Sequence, residues 1–184
     1  MILVSIKPYY YYLIAEEKKK IEVRKMALKN LPQDIAFYMS KDEKSFAKIP
    51  KEFQEKYRKH FGKVGMRVVC DEVERFSVGS LRSDDIEKLA CLSYNEMINY
   101  FYKPEELDGK TVKQGFAWHI SDLKIYDKPK ELSEFIKRCN CKGHCFMCER
   151  EIVKQDKSKQ MCVCYEKATR PPQSWMFVEE LKEV

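Results

Sequence analysis

No apolar run in this chain reaches the roughly 18 residues that a membrane-spanning helix requires. The opening residues, MILVSIKPYYYY, carry neither a basic leader nor a small-residue cleavage site, so they do not read as an export signal. There is no internal repeat and no low-complexity linker, which argues against a repeat array or a string of tethered modules. Histidine is scarce, at 3 in 184 residues, and no paired-histidine ribonuclease pattern stands out. A strong excess of one charge is also lacking. Lys and Arg number 35 against 29 Asp and Glu, and the net charge of +6 permits a polyanionic partner without requiring one. The length fits one domain with an elaboration. Eight cysteines in a chain of this character favour reduced thiols or metal over disulfides, and a cytoplasmic location is expected.

What is present reads as short strands drawn from distant parts of the chain, interrupted by a few helices. Ile2 to Ile6 is a β-rich run stopped at Lys7-Pro8, and proline at a first helical position predicts a short helix from Tyr9 to Glu17. Its four tyrosines cannot share one face, because successive helical residues turn by about 100°. Tyr10 falls with Leu13 and Ile14 and is the core candidate, whereas Tyr9 and Tyr12 fall on another side, where a ring could meet a ligand. Ile21 to Arg24 alternates as a half-buried strand does, with Ile21 and Val23 inward and Glu22 and Arg24 opposite. Further strands are expected at 35–39, 66–70, 115–120, 123–126 and 175–178. Helical patterning covers 53–61 and 82–102, with Ser93 and Glu96 spaced as a capping box, and 130–137 reads as short helical or irregular. The fold class is α+β, with a mixed or barrel-like sheet.

Six cysteines crowd between positions 139 and 164, as Cys139-x-Cys141, Cys145-x-x-Cys148 and, thirteen residues later, Cys162-x-Cys164. A C-x-x-C turn aims two thiolates at one tetrahedral ion, and a returning pair completes the set. The segment has few aliphatic residues and many lysines, so burial alone would scarcely order it. A structural Zn2+ is expected, held by Cys145 and Cys148 with Cys141 and Cys162, while Cys139, Cys164 and His144 remain alternative ligands. Cys70 and Cys91 read as core thiols.

Ser5-Ile-Lys-Pro8 followed by Lys19-x-x-Glu22-x-Arg24 resembles the start of the ASCH family, a branch of the PUA-like superfamily whose motif is G-x-K-x-x-E-x-R. Glu17 stands where that motif has glycine. Gly115 to Tyr126, Lys128 to Phe135 and Thr169-Arg-Pro-Pro-Gln-Ser-Trp175 extend the resemblance to bacterial and phage ASCH proteins that carry a cysteine-rich insertion. The resemblance implies a PUA-like small β-barrel of mostly antiparallel strands with flanking helices. Its expected organisation is a barrel over 1–138, a cysteine-rich zinc-binding insertion over 139–164, and a closing strand and tail over 165–184. It also implies binding of RNA or a nucleotide in a cleft beside the motif; some relatives resemble nucleases and others hydrolyse acylated nucleosides. In those hydrolases a hydroxyl residue occupies the position of Glu22 here.

The same residues have a physical reading of their own. Glu22 and Arg24 project from one side of a strand with Lys19 just before it, so a carboxylate orients two cations and leaves positive charge for a phosphate or carbonyl oxygen. A lysine beside other cations also suits base or nucleophile chemistry; the resemblance to nuclease-like relatives implies Ser174 and a tyrosine such as Tyr38 as its partners, so that Lys19, Glu22 and Ser174 are the catalytic candidates. Lys18, Lys19, Lys20, Arg24, Lys25 and Lys29 add a basic stripe beside the cleft. Trp118 and His119 read either as a cleft wall, with the indole face open to a base, or as a core residue and a satisfied neighbour. The candidate nucleic-acid contacts are therefore Lys7, Tyr12, Lys18, Lys19, Lys20, Arg24, Lys25, Trp118 and His119. RNA or nucleotide binding leads these readings, followed by an enzyme on RNA or modified nucleosides and then by an adaptor that binds another protein.

Overall fold

The computed structural model describes residues 1–79, 83–106, 112–137 and 166–180. Their elements run β1 (Ile2–Ile6), α1 (Pro8–Ala15), β2 (Ile21–Arg24), β3 (Gln33–Met39), α2 (Glu43–Phe46), α3 (Lys51–Arg58), β4 (Val64–Ser77), α4 (Ser83–Ala90), α5 (Tyr94–Phe101), β5 (Gln114–Lys130), β6 (Phe135–Lys137), β7 (Glu166–Lys167) and β8 (Trp175–Glu180). The class is α+β. The cysteine-rich segment, with Cys139, Cys141, His144, Cys145, Cys148, Cys162 and Cys164, lies outside the described residues.

The strands form one eight-stranded sheet in the order β2-β5-β4-β3-β1-β8-β6-β7. Among the described residues only the β1–β3 pairing is parallel. The expected closure into a barrel is not present: among the described residues no ladder joins β2 to β7. Both edges of β1 are already occupied, by β3 on one side and β8 on the other, so β2 has no free edge there to pair with. The sheet nevertheless curls. Register shifts interrupt β4–β5 between Val64 and Met66, Arg67 and Val69, and Cys70 and Val73, and bulges of this kind bend and twist a ladder. The curl brings β2 back to the end of β1, where Arg24 Nη2 donates to the Ser5 carbonyl at 3.0 Å. A side chain spans the gap that backbone pairing leaves open.

β1 is buried on both sides and reads as a near-continuous apolar run for that reason. Ile2, Val4 and Ile6 share a core with Phe37, Met66 and Val68 and with Tyr11, Tyr12 and Tyr57 of the helices. Leu3 faces the other way, toward Ala36, Tyr38, Phe135 and Val178. A third cluster packs Ile86, Ala90, Met97 and Phe101 of α4 and α5 onto Ile21, Val23, Phe76 and Ala117. Covering Met97 or Phe101 in this way is worth about 1.5–3 kcal/mol each.

Several expected bounds shift. The helical stretch over 82–102 is two helices, broken at Cys91, whose φ is 50°. The capping box starts the second one as its spacing implied, with Ser93 Oγ accepting from the Glu96 N–H and Glu96 from the Ser93 N–H. The two extended stretches over 115–126 merge into the 17-residue β5, and β4 runs well past Cys70. The far half of β4, Asp71-Glu-Val-Glu-Arg75, is rich in charge, which conceals its strand character from propensity alone. The stretch over 130–137 resolves into a 3-10 turn at Leu132–Glu134 and then β6.

Candidate ligand-binding cleft

A cleft of about 760 Å3 opens where the curl brings β2 opposite the end of β1. Its floor is the Lys19, Glu22 and Arg24 group, and the local backbone explains how these residues arrive there. α1 ends in a Schellman motif: Lys18 N–H bonds back to the Leu13 carbonyl at 2.8 Å and Glu17 N–H to that of Ile14 at 2.9 Å. The motif needs a left-handed residue, and Glu17 supplies it at φ 55°. A glycine would adopt this conformation freely, which gives a physical role to the position where the sequence motif has one. The turn then delivers Lys19 to the cleft and starts β2, whose alternation sends Ile21 and Val23 toward α4 and α5 and leaves Glu22 and Arg24 on the opposite side.

All three floor residues are buried, at 2 %, 7 % and 8 % exposure. The expectation of a half-solvated face on β2 is therefore corrected, because α1 and α5 cover that side as well. Glu22 lies between the cations, with Oε2 3.4 Å from Lys19 Nζ and Oε1 3.0 Å from Arg24 Nε. Lys19 also donates to the Ala90 carbonyl at 2.7 Å. Burial lowers the Lys19 pKa from its ordinary value, against the pull of Glu22. The Arg24 guanidinium lies 6.0 Å from the Trp118 ring centroid and Lys19 Nζ 5.5 Å from that of Tyr10, both within cation–π reach. Ser5 Oγ, at the edge of this floor, is buried with no hydrogen-bond partner within the described protein.

The walls come from three further segments. α1 supplies Tyr9 and Tyr10, α5 supplies Glu96, Asn99 and Tyr100, and the α2 region supplies Lys44, Ser45 and Lys48. Two hydrogen bonds fix these walls to one another. Tyr10 O–H donates to Glu96 Oε1 at 3.0 Å, joining α1 to α5, and Tyr9 N–H donates to Ser45 Oγ at 3.1 Å, joining α1 to α2. Burial, reinforced by the Glu96 carboxylate, raises the Tyr10 phenol above its ordinary value. Burial opposes ionisation of Glu96, but hydrogen bonds from Ser93 and Tyr10 and the nearby Lys48 charge outweigh it and hold its pKa low.

The other sequence candidates are distributed unevenly. Lys7 lines the cleft. Tyr12 does not: it is 2 % exposed, packs on Phe53 and Tyr57, and accepts a hydrogen bond from Lys18 at 3.0 Å. The tyrosine run is thus divided differently from its helical projection, with Tyr11 and Tyr12 buried under α3 and Tyr9 and Tyr10 half-buried on the cleft. The α3 side, 40 residues on, decides which rings are covered. Lys20 pairs with Glu17 on the surface and Lys25 lies 5.1 Å from the Tyr100 ring. Neither Lys18, Lys20 nor Lys25 lines the cleft. Trp118 is a core residue at 0 % exposure whose Nε1 donates to the Met26 carbonyl at 3.1 Å. His119 sits 3.9 Å from Glu74, away from the cleft, and its Nε2 has no hydrogen-bond partner within the described protein. Ser174 is exposed and is not among the lining residues, whereas its neighbour Gln173 is. Tyr38 belongs to the core on the far side of β1 and does not join Lys19. Of the core thiols, Cys70 is buried and Cys91 half-buried. Among the described residues no group of three or more His, Cys, Asp or Glu is arranged to hold a metal ion.

Glu96, Asn99 and Tyr100 were not among the sequence candidates, although their i, i+3, i+4 spacing on α5 marks one helix face. Lys44 and Lys48 carried no such signal, because α2 spans only four residues.

No protein-family model and no curated protein sequence matches the chain. Solved structures do. The ASCH protein of Zymomonas mobilis is similar at a TM-score of 0.54 and 17% identity, over 97% of this chain and 87% of that one. A tyrosine-to-phenylalanine variant of the same protein gives 0.54 and 16%, over 97% and 89%. A serine-to-alanine variant gives 0.52 and 16%, over 97% and 87%. At such identity the likeness speaks for the backbone arrangement alone, and on that ground the chain has the fold of an ASCH domain protein.

Proposed function

We propose that the protein is an ASCH-type RNA- or nucleotide-binding module of the bacterial and phage kind, and that the cleft over Lys19, Glu22 and Arg24 receives the ligand. The observation that carries this reading is the combination of a buried, charged floor with aromatic walls. Tyr9, Tyr10 and Tyr100 offer ring surface for stacking, and the Ser5 hydroxyl beside the floor, with no partner among the described residues, is free to meet a polar group of the ligand. Stacking on such rings is worth about 1–3 kcal/mol per base, and clefts of about 300–1,000 Å3 suit ligands of nucleotide size. The test is incubation with labelled single-stranded and duplex RNA and DNA at two salt concentrations, scored for retention and for cleavage. Retention that weakens in Lys19→Met, a change that keeps the side-chain volume, supports the reading. Absence of retention at low salt for every nucleic acid and nucleotide would refute it.

A second reading is an enzyme on RNA or modified nucleosides, in which Lys19 acts as base. The depressed pKa of a lysine at the cleft floor favours it, since a catalytic lysine needs its neutral form within reach. Cleavage or deacylation abolished by Lys19→Met while binding persists would select this reading over simple recognition.

The cysteine-rich segment is proposed to bind one structural Zn2+ through Cys141, Cys145, Cys148 and Cys162, in keeping with a reducing, cytoplasmic setting. Support comes from the ligand spacing. Elemental analysis of protein purified without chelator is expected to give one equivalent of zinc, and its absence would end the proposal.

A further inference from the structure

Among the described residues the cleft is lined by five cationic side chains and three carboxylates, but the cations are not equivalent. Lys19 and Arg24 are both committed at the floor, to Glu22, to the Ala90 carbonyl and to the Ser5 carbonyl. A phosphate placed there would meet the buried Glu22 carboxylate between them and would have to displace it. The remaining three, Lys7, Lys44 and Lys48, are exposed on the rim and have no carboxylate within 4 Å among the described residues.

These three lysines come from separate places that the fold draws together. Lys7 stands at the N-cap position of α1, Lys44 lies on α2, and Lys48 lies in the link to α3. The Tyr9–Ser45 hydrogen bond holds the start of α1 against α2. The first turn of α1 contains no acidic residue and Lys7 makes no side-chain cap, so the positive end of the helix dipole adds to the same rim. The acidic groups on this side are already engaged. Asp42 accepts from Ser45 N–H at 3.0 Å, Glu43 pairs with Arg58, and Glu96 is held by Ser93 and Tyr10, with the Lys48 charge acting on it from beyond ion-pair distance.

We infer that Lys7, Lys44 and Lys48 form a phosphate-holding rim, so that the cleft takes a phosphorylated nucleoside with its base toward Tyr9, Tyr10 and Tyr100 and its phosphate at the α1–α2 junction. This rests on the nucleotide reading above and reverses the polarity expected from the sequence, in which Lys19 and Arg24 would have met the anion. The buried floor is left to position neutral, hydrogen-bonding atoms of the ligand.

Calorimetric titration of the full chain with nucleosides and with their 5′-monophosphates tests it. The monophosphate of the preferred base should bind about tenfold or more tightly than its nucleoside at low salt, and this advantage should shrink as salt screens the exposed lysines. The Lys44→Ala, Lys48→Ala double variant changes two surface side chains and should keep its native melting profile. It should lose the phosphate advantage, so that the monophosphate binds no more tightly than the nucleoside. A short oligoribonucleotide with and without a 5′-phosphate, run beside them, tells a free nucleotide from a chain end as the source of the phosphate. Equal binding of nucleoside and monophosphate, or a double variant that retains the advantage, overturns the rim and leaves the cleft as a nucleoside site. Failure of nucleosides, nucleotides and oligoribonucleotides alike overturns the nucleotide reading and the rim with it.

Discussion

Glu22→Gln is the sharpest perturbation of the cleft floor, because it removes one charge and almost no volume. The carboxylate lies 3.0 Å from Arg24 and 3.4 Å from Lys19, and all three groups are buried. At an effective dielectric of about 20 each contact contributes roughly 5 kcal/mol of gross attraction, most of which offsets desolvation of the charges. Removing one partner of such a group leaves the others buried without compensation, which costs about 3–5 kcal/mol. The glutamine amide oxygen recovers part of this, so a loss of about 3 kcal/mol at pH 7 is expected.

The pH dependence separates this mechanism from a mere packing defect. Of the two cations, Lys19 is the one whose proton release can be followed in stability. Its folded pKa is already depressed by burial, and loss of Glu22 depresses it further. A lysine whose folded pKa lies below its unfolded value binds fewer protons in the fold, so stability rises with pH across the window between the two. The Glu22→Gln deficit should therefore narrow between pH 7 and pH 10. Urea denaturation of both proteins at the two pH values provides the measurement. A deficit below 1 kcal/mol at pH 7, or one that is the same at both values, would refute the account of the floor as a charge-compensated buried group.

Other consequences are more local. Glu17→Gly should stabilise the protein by about 0.5–1 kcal/mol, since the left-handed backbone at φ 55° costs a side chain more than glycine loses in entropy; an unchanged or lower midpoint in urea would count against the Schellman reading. His60 is 1 % exposed, with its Nδ1 3.0 Å from the Tyr11 hydroxyl, and burial lowers its pKa from 6.5 to about 4, aided by Lys59 and Lys56. The unfolded chain takes up the proton first as pH falls, so up to about 3 kcal/mol is lost between pH 6.5 and 4. An NMR titration showing His60 protonating near 6.5 in the folded protein would contradict this. Gly65→Ala would drive a methyl group into the His60 ring and the Tyr11 hydroxyl. A loss of 2 kcal/mol or more is expected from overpacking and the broken hydrogen bond, and a wild-type melting profile would disprove the close approach.

The elements legible in the sequence were those whose signal is short-range. β1 showed as an apolar run, α1 through Pro8, β2 through its alternation, and α5 through the Ser93–Glu96 box, since each depends on residues within one turn or one pleat of each other. The grouping of Lys19, Glu22 and Arg24 was likewise local, because period-2 geometry places Glu22 and Arg24 on one side of β2. Glu17 could be seen to replace a motif glycine, but the reason for that glycine, a left-handed C-terminal cap, became visible only in the backbone.

Tertiary structure decided what covers each face. The burial of Tyr11 and Tyr12 in place of Tyr10 follows from where α3 packs. Glu22 and Arg24 lie beneath α1 and α5 instead of facing solvent because the bulged β4–β5 ladder curls β2 toward β1. The same curl stops short of a barrel, as β8 already occupies the second edge of β1, and the gap that results is the cleft. Helix caps and strand alternation depend on neighbours in sequence. The side chains that meet across this cleft, from Lys7 to Gln173, depend on contacts whose partners lie tens of residues apart, and no local pattern encodes them.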